Sequence, residues 1–193
     1  MKRIVSIIAL FLGSCILLNG QEHLKVKNIP IEGSATSFIA KLKATGLKHY
    51  TGSGTDEVLK GQFAGMPDCY FIIAASDKTQ TVFRVGIMTD NSVSWSSLKS
   101  KYNGIKDSYS SKYPDYKSYE YFTEPYYEGD GYELQALRLE KCTYATYFFT
   151  DEGSITVEMK GSSGEGYVVI TYEDNIGFEK AKAERNATVI DDI

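Results

Sequence analysis

The sequence predicts an α+β fold in which helices pack on antiparallel sheet, and three observations support this prediction. Apolar residues recur at helical spacing in two segments, residues 35–45 and the stretch from Ser94 to Pro114. Apolar and polar residues alternate in several short segments, most strictly at 154–160, which is typical of strands with one buried face. Single helices alternate with groups of strands, which excludes a doubly wound parallel sheet because that fold needs a crossover after every strand.

The two helices are defined by their termini and by their apolar faces. Ser34 and Ser94 can each cap the helix that follows, and Gly46 and Pro114 end those helices. The second helix has the clearer pattern, because its apolar and aromatic side chains recur at spacings of three and four. These residues are Trp95, Leu98, Tyr102, Ile105 and Tyr109.

The predicted strands fall into two groups, one after each helix. They are rich in β-branched and aromatic residues, and short turns separate them. The first group is 58–63, 69–75 and 81–88, and the second is 118–123, 132–139, 142–150, 154–160 and 166–173. Residues 21–33 lack clear periodicity, and a short helix is expected near 178–184. This order predicts two helix-plus-meander units, 21–90 and 91–193, arranged as a tandem repeat within one compact domain.

Residues 1–20 have the composition of a secretory signal peptide. Lys2 and Arg3 precede an apolar run that is shorter than the roughly 20 residues a transmembrane helix needs. Cleavage after residue 20 is the favoured interpretation, and it predicts a periplasmic or secreted protein. The alternative is lipidation of Cys15, because Leu12–Cys15 resembles a bacterial lipobox. In that case the exported protein is anchored in the envelope by a lipid.

The charge balance excludes some classes of partner. The chain has 21 Lys and Arg against 25 Asp and Glu, and loss of residues 1–20 removes two bases and no acid. Affinity for nucleic acid depends on neutralising phosphates, and the chain has no block of basic residues. We therefore expect no nucleic-acid partner, and membrane contact only through a lipid on Cys15.

Two cysteines, Cys69 and Cys142, remain after removal of the leader. Export permits a Cys69–Cys142 disulfide, but two buried thiols are the favoured interpretation because each cysteine lies in an apolar segment. A Cys/His nucleophile needs a thiolate and an oriented base, and the sequence around His23 and His49 supplies neither. We expect no enzymatic activity and no cofactor. An enzyme with an unrecognised site ranks third among the functional hypotheses, after a protein-binding module and a small-ligand or glycan binder.

A glycine-bearing loop contains three acidic residues that are weak candidates for metal ligands, Glu128, Asp130 and Glu133. A calcium loop of the EF-hand type needs ligands at five or six fixed positions, which this segment does not supply. A turn at Asp130-Gly131 accounts for these residues, and we expect no metal.

Tyrosine is unusually frequent, with 15 residues in the chain and seven of them from Tyr109 to Tyr127. Tyrosine combines an apolar ring with a polar tip and is enriched at interfaces, although it also favours strands. Ordinary strand composition is the favoured interpretation of these tyrosines. Among the functional interpretations a protein-binding surface comes first, with a glycan or other small ligand as the alternative. The candidate interface consists of Tyr113, Tyr116, Tyr119, Tyr121, Tyr126, Tyr127 and Tyr132.

Four segments resemble those of small exported α+β proteins of Bacteroidetes: Ile29–Gly33, Trp95–Tyr102, Glu128–Gly131 and Asp191–Ile193. The order of elements is also similar to the tandem architecture of β-lactamase-inhibitor-protein-like and PepSY-like domains. This resemblance implies a binding or inhibitory module, and it supplies no catalytic residue.

Overall fold

The central element of the protein is an antiparallel sheet of eight strands. A computed structural model of the chain describes residues 22–191, with side chains as far as residue 188. The predicted signal peptide and Cys15 lie outside these residues. The α+β fold, with helices packed on antiparallel sheet, is confirmed.

The elements alternate along the chain as single helices and groups of strands. The strands are β1 (Lys25–Val26), β2 (Ile29–Pro30), β3 (Lys48–Thr51), β4 (Val58–Phe63), β5 (Met66–Ala75), β6 (Val82–Met88), β7 (Tyr116–Phe122), β8 (Cys142–Phe149), β9 (Gly153–Gly161) and β10 (Gly166–Asp174). The helices are α1 (Ala35–Ala44), α2 (Trp95–Lys112), α3 (Glu133–Arg138) and α4 (Asn175–Asp191). The strand order in the sheet is β3-β4-β5-β6-β10-β9-β8-β7, and β1 and β2 form a separate two-stranded ribbon.

Two four-stranded meanders form the sheet, and their last strands pair with each other. The first meander, β3 to β6, follows α1, and the second, β7 to β10, follows α2. Strands β6 and β10 are antiparallel, with Met88 opposite Val169 and Arg84 opposite Glu173. The predicted units at 21–90 and 91–193 therefore share one sheet. Their common origin as a tandem repeat stays a prediction.

Helices α1 and α2 begin as the sequence predicts. The Ser34 and Ser94 side chains accept hydrogen bonds from the backbone N–H groups of Ser37 and Ser97, so both serines are N-caps. The buried face of α2 consists of Leu98, Tyr102, Ile105 and Tyr109. This face packs on β8, β9 and β10, where it closes a single hydrophobic core.

The predicted strand at 132–139 is wrong, because residues 133–138 form α3. Ala136 and Leu137 are buried, and α3 lies so close to β9 that a Cβ on Gly161 would be 2.4 Å from the Arg138 nitrogen. A short apolar segment does not distinguish strand from helix by periodicity alone, and here packing against β9 selects the helix.

Three strands in the structure, β1, β2 and β3, have no counterpart among the predictions. Every residue of β3 is exposed, so this edge strand lacks the apolar alternation that identifies a strand. The ribbon β1–β2 turns at Lys27 and Asn28, both with positive φ, and it fixes part of the 21–33 segment against the core. Helix α4, at Asn175–Asp191, is also longer than the short helix expected near 178–184.

A buried carboxylate at the end of β10 connects three parts of the molecule. Asp174 is fully buried, and its Oδ1 accepts a hydrogen bond of 2.8 Å from the Leu24 N–H. Its Oδ2 accepts one of 2.8 Å from the Gly177 N–H and lies 2.9 Å from His23 Nδ1. Asp174 therefore attaches the N-terminal ribbon to β10 and caps the start of α4.

Replacing Asp174 by alanine should destabilise the fold strongly. The change removes the acceptor for two buried backbone N–H groups, and we expect the free energy of unfolding to fall by about 3 kcal/mol. Urea unfolding followed by circular dichroism measures this loss. The matched control is the neighbouring Glu173→Ala, which removes a partly exposed ion pair with Arg84 and should cost less than about 1 kcal/mol. Equal effects of the two changes would contradict the role assigned to Asp174.

Candidate functional site

The sheet has one face packed against α1 and α2 and a second face, here called the open face, on the opposite side. Residues directly opposite each other on neighbouring strands share a face, so the register identifies the open face. Between β7 and β8, Lys117 is opposite Tyr147, Tyr119 is opposite Ala145, and Tyr121 is opposite Thr143. The side chains of these residues therefore project from the open face.

Four aromatic side chains cluster on the open face of β7 and β8, and we call them the aromatic patch: Tyr119, Tyr121, Tyr147 and Phe149. Their side chains are 49%, 52%, 38% and 43% exposed. The rings of Tyr119 and Tyr147 meet edge to face, with centroids 5.9 Å apart. Together with Lys117 and Thr143, the patch lines a shallow hollow of about 500 Å³. The patch is thus a preformed aromatic surface on two adjacent strands.

The alternation of side chains along β7 and β8 explains how the patch arises. On β7 the odd-numbered tyrosines are on the open face, whereas Tyr116 is on the other face, with its ring centroid 5.5 Å from that of Phe148. On β8 aromatic residues occupy both faces, so Tyr144 and Phe148 are buried while Tyr147 and Phe149 are exposed. Tyr147 and Phe149 are not among the residues predicted from the sequence, because an aromatic segment of this kind does not show which side is buried.

The structure divides the seven predicted interface tyrosines among different environments. Tyr119 and Tyr121 belong to the aromatic patch. Tyr113 is half-buried against Tyr109, and Tyr116 packs on the edge of the core. The last three lie in and after the loop that follows β7: Tyr126, whose hydroxyl accepts a hydrogen bond from Gln135, and the exposed Tyr127 and Tyr132. The structure does not bring the seven together into one surface.

Glu128, one of the weak metal candidates, is bound by neighbouring side chains. It accepts a hydrogen bond of 3.2 Å from the indole N–H of Trp95 and forms an ion pair with Lys99. The hydrogen bond from Lys99 holds the pKa of the Glu128 carboxyl below its usual range. Tyr144 donates a further hydrogen bond to this carboxylate. Glu128 therefore fastens the loop to the start of α2.

The other two acidic candidates stabilise the backbone of the same loop. Asp130 accepts hydrogen bonds from the N–H groups of Tyr127 and Tyr132, and Glu133 accepts one of 2.9 Å from Gly129. Among the described residues, no three histidine, cysteine or acidic side chains are close enough to hold a metal ion. The carboxylates in this loop thus have structural partners.

Cys69 and Cys142 are both buried and free, so the structure does not form the disulfide considered from the sequence. Three strands lie between β5 and β8, a separation of about 19 Å across the sheet, whereas a disulfide needs Cα atoms within about 7 Å. Burial raises the pKa of the Cys69 thiol to about 11 and that of Cys142 to about 12. These thiols are protonated at neutral pH, which is unfavourable for a nucleophile.

The two histidines lie within hydrogen-bond distance of carboxylates and not of a cysteine. Nδ1 of His49 lies 2.8 Å from Oε1 of Glu57, which also pairs with Lys43 at 2.7 Å. The hydrogen bond from Lys43 lowers the pKa of the Glu57 carboxyl. His23 lies beside the buried Asp174. The Cys/His arrangement considered from the sequence is therefore not assembled.

Comparison with protein-family models, with curated proteins and with solved structures finds no match to this chain. The resemblance to exported α+β proteins and to β-lactamase-inhibitor-protein-like or PepSY-like domains stays a prediction. Within residues 22–191, none of the helices has the length and apolar character required to cross a membrane.

The two thiols should be unreactive in the folded protein and reactive after unfolding. In the processed protein, a thiol reagent at pH 8 without reductant should label neither cysteine until denaturant is added, and then both. Because the folded-state pKa values are raised, labelling of the native protein should begin only as the pH approaches 11. Absence of free thiols in the denatured, unreduced protein would show that a Cys69–Cys142 disulfide exists in solution.

Proposed function

We propose that the protein is an exported, non-enzymatic binding module that engages a protein partner through the aromatic patch. The observation that carries this proposal is the exposure of four large aromatic side chains on one face of two adjacent strands. Aromatic residues are enriched at protein interfaces, and clustered exposed apolar surface on a soluble domain marks an interaction site. The composition of residues 1–20 supports export, and the resemblance implies a binding or inhibitory role.

The open face extends beyond the aromatic patch, which favours a macromolecular partner over a small one. On the same face but near the opposite edge of the sheet, Tyr50 and Ile72 are 54% and 45% exposed. The ring centroids of Tyr50 and Tyr70 are 4.8 Å apart. These residues and Met88 line a second shallow hollow of about 430 Å³. Two open apolar areas on one sheet suit a broad protein surface, since small-ligand sites generally enclose most of the ligand.

A glycan ligand is the second candidate, and the shape of the patch favours it in one respect. Tyr119 and Tyr147 line a hollow of about 500 Å³, and Lys117 and Thr143, which carry an ammonium and a hydroxyl group, line it as well. Aromatic faces can cover the apolar side of a sugar ring while these polar groups bond to its hydroxyls. The hollow is open and has few polar groups, which makes this the weaker candidate.

Removing two of the four aromatic side chains of the patch should weaken partner binding without unfolding the protein. The double variant Tyr119→Ser, Tyr147→Ser should reduce capture of a specific partner from native envelope extract by at least about tenfold, since buried tyrosines commonly dominate interface energy. Quantitative mass spectrometry of the captured proteins measures this loss. Thermal unfolding establishes that the variant remains folded.

The matched control is Tyr127→Ser, Tyr132→Ser, which removes two tyrosines that lie in and after the loop that follows β7 and are more exposed than Tyr119 and Tyr147. This control should retain the partner. Retention of every partner by the patch variant would refute the proposal. Patch-dependent binding to an oligosaccharide array, with no protein captured by any form, would favour the glycan alternative.

A further inference from the structure

The two edges of the sheet differ in how well they are protected from pairing with another strand. Edge strand β3 has four residues, and its pairing with β4 contains a register shift. Edge strand β7 has seven residues, pairs with β8 without interruption, and is exposed from Tyr116 to Tyr121. Short and irregular edges resist strand addition, whereas long regular ones permit it. Strand β7 is therefore the edge suited to receive a further strand.

The hydrogen bonds at the ends of β7 show which backbone groups face outward. Phe149 donates its N–H to the Asp115 carbonyl, and Thr123 donates its N–H to the Lys141 carbonyl. In an antiparallel ladder, residues alternate between those bonded to the neighbouring strand and those directed away from it. Residues 117, 119 and 121 consequently bond to β8. The N–H and C=O groups of 116, 118, 120 and 122 point away from the sheet.

We propose that β7 pairs with β7 of a second copy of this chain, antiparallel and about a two-fold axis at Tyr119. The two sheets then join into one continuous sheet. This register uses the full length of the strand, because Tyr116 is opposite Phe122 of the second copy and Ser118 is opposite Glu120. Both pairs consist of outward-facing residues, so each can exchange two backbone hydrogen bonds.

The charges on β7 are compatible with this self-pairing. Lys117 and Glu120 are the charged residues of the strand. In the proposed register Lys117 lies opposite Tyr121, which favours a cation–π contact. Glu120, which is paired with Lys106 of its own chain, lies opposite the uncharged Ser118. No like charges are opposite each other, which would be destabilising. Tyr119 meets its own symmetry mate, so two aromatic side chains are paired at the axis.

This inference is independent of the proposed partner binding. Its hydrogen bonds use the backbone of the even-numbered residues at the edge of β7, whereas partner binding uses odd-numbered side chains on the face. Self-pairing also sets the side chains of Lys117, Tyr119 and Tyr121 beside those of the second copy. The tests below measure self-association of the purified protein with no partner present. Failure of self-pairing therefore leaves the patch proposal intact, and the reverse also holds.

Cysteine cross-linking tests the register. In the proposed pair, residue 119 occupies a non-hydrogen-bonded position about 4.5 Å from its symmetry mate, which is within the Cα range of a disulfide. The Tyr119→Cys protein, exported and processed, should form a covalent dimer under mild oxidation. The two native thiols are buried and should not contribute.

The matched control uses the same strand and the same face. Residue 117 lies opposite residue 121, about 14 Å from its own symmetry mate. Lys117→Cys alone should therefore form no covalent dimer, whereas a mixture of Lys117→Cys and Tyr121→Cys proteins should cross-link. A Tyr119→Cys protein that does not cross-link, or a Lys117→Cys protein that cross-links to itself as readily, overturns the proposal.

Sedimentation of proteins without new cysteines tests the backbone pairing. The wild-type protein should show a monomer–dimer equilibrium at concentrations up to about 100 μM, as expected for a small interface. Ser118→Pro removes an outward N–H that β8 does not use, and it should weaken dimerisation at least about tenfold because two symmetric hydrogen bonds are lost.

Ser118→Ala is the control for this change, because both variants lose the hydrogen bond between Ser118 Oγ and Thr146 Oγ1 and only the proline loses the N–H. The alanine variant should dimerise like the wild type, and thermal unfolding should show that both variants are folded. A wild-type protein that is monomeric throughout, or equal dimerisation by the two variants, overturns the proposal. Dimers that survive Ser118→Pro would place any self-association elsewhere on the molecule.

Discussion

The architecture depends on the pairing of β6 with β10. Five consecutive residue pairs, from Arg84–Glu173 to Met88–Val169, join the last strands of the two meanders. Without this seam, each meander would present an unpaired central edge and half of an apolar face. With it, the aromatic core continues from one half to the other, since Tyr172 on β10 meets Phe63 on β4 and Tyr109 on α2. The hydroxyls of Tyr109 and Tyr172 form a hydrogen bond with each other in this core.

The register of the sheet separates core side chains from solvent-exposed ones. Residues on the helix-covered face are held in the core, and burial raises the pKa of Tyr109 and Tyr172 because the ionised phenol is poorly solvated there. Residues on the open face carry no such constraint. Full burial of a large apolar side chain contributes about 1.5–3 kcal/mol, and each half-exposed residue of the patch forgoes part of this, which a partner that covers the patch would recover.

Local signals in the sequence predicted the elements whose boundaries depend on local chemistry. The caps at Ser34 and Ser94 and the spacing of apolar residues placed α1 and α2 correctly, and the alternation at 154–160 identified β9. The prediction of a strand at 132–139 was wrong because packing against β9 selects a six-residue helix there. The exposed strand β3 was not predicted because an edge strand needs no apolar pattern. The order of strands, including the β6–β10 seam, is set by contacts distant in sequence that no local pattern indicates.

The candidate site was predictable only in part, because residue composition is visible in the sequence and strand register is not. Tyr119 and Tyr121 followed from the excess of tyrosine, but separating them from Tyr116 required the phase of β7 relative to the core. Tyr147 and Phe149 became distinguishable from Tyr144 and Phe148 only when the register with β7 was known. Sequence composition therefore predicted the chemistry of the surface, and the sheet register determined which side chains form it.

Strand β7 can serve both an edge contact and a face contact because the hydrogen bonds of the edge use backbone groups and the face uses side chains. Pairing along the edge would engage the backbone groups of its even-numbered residues, while the open face presents the side chains of Tyr119 and Tyr121. Edge pairing about Tyr119 would bring the aromatic patches of two copies side by side on a continuous sheet face. A partner that contacts both patches would gain effective concentration from the dimer without any new type of contact. Self-pairing would thus strengthen binding at the patch and would not compete with it.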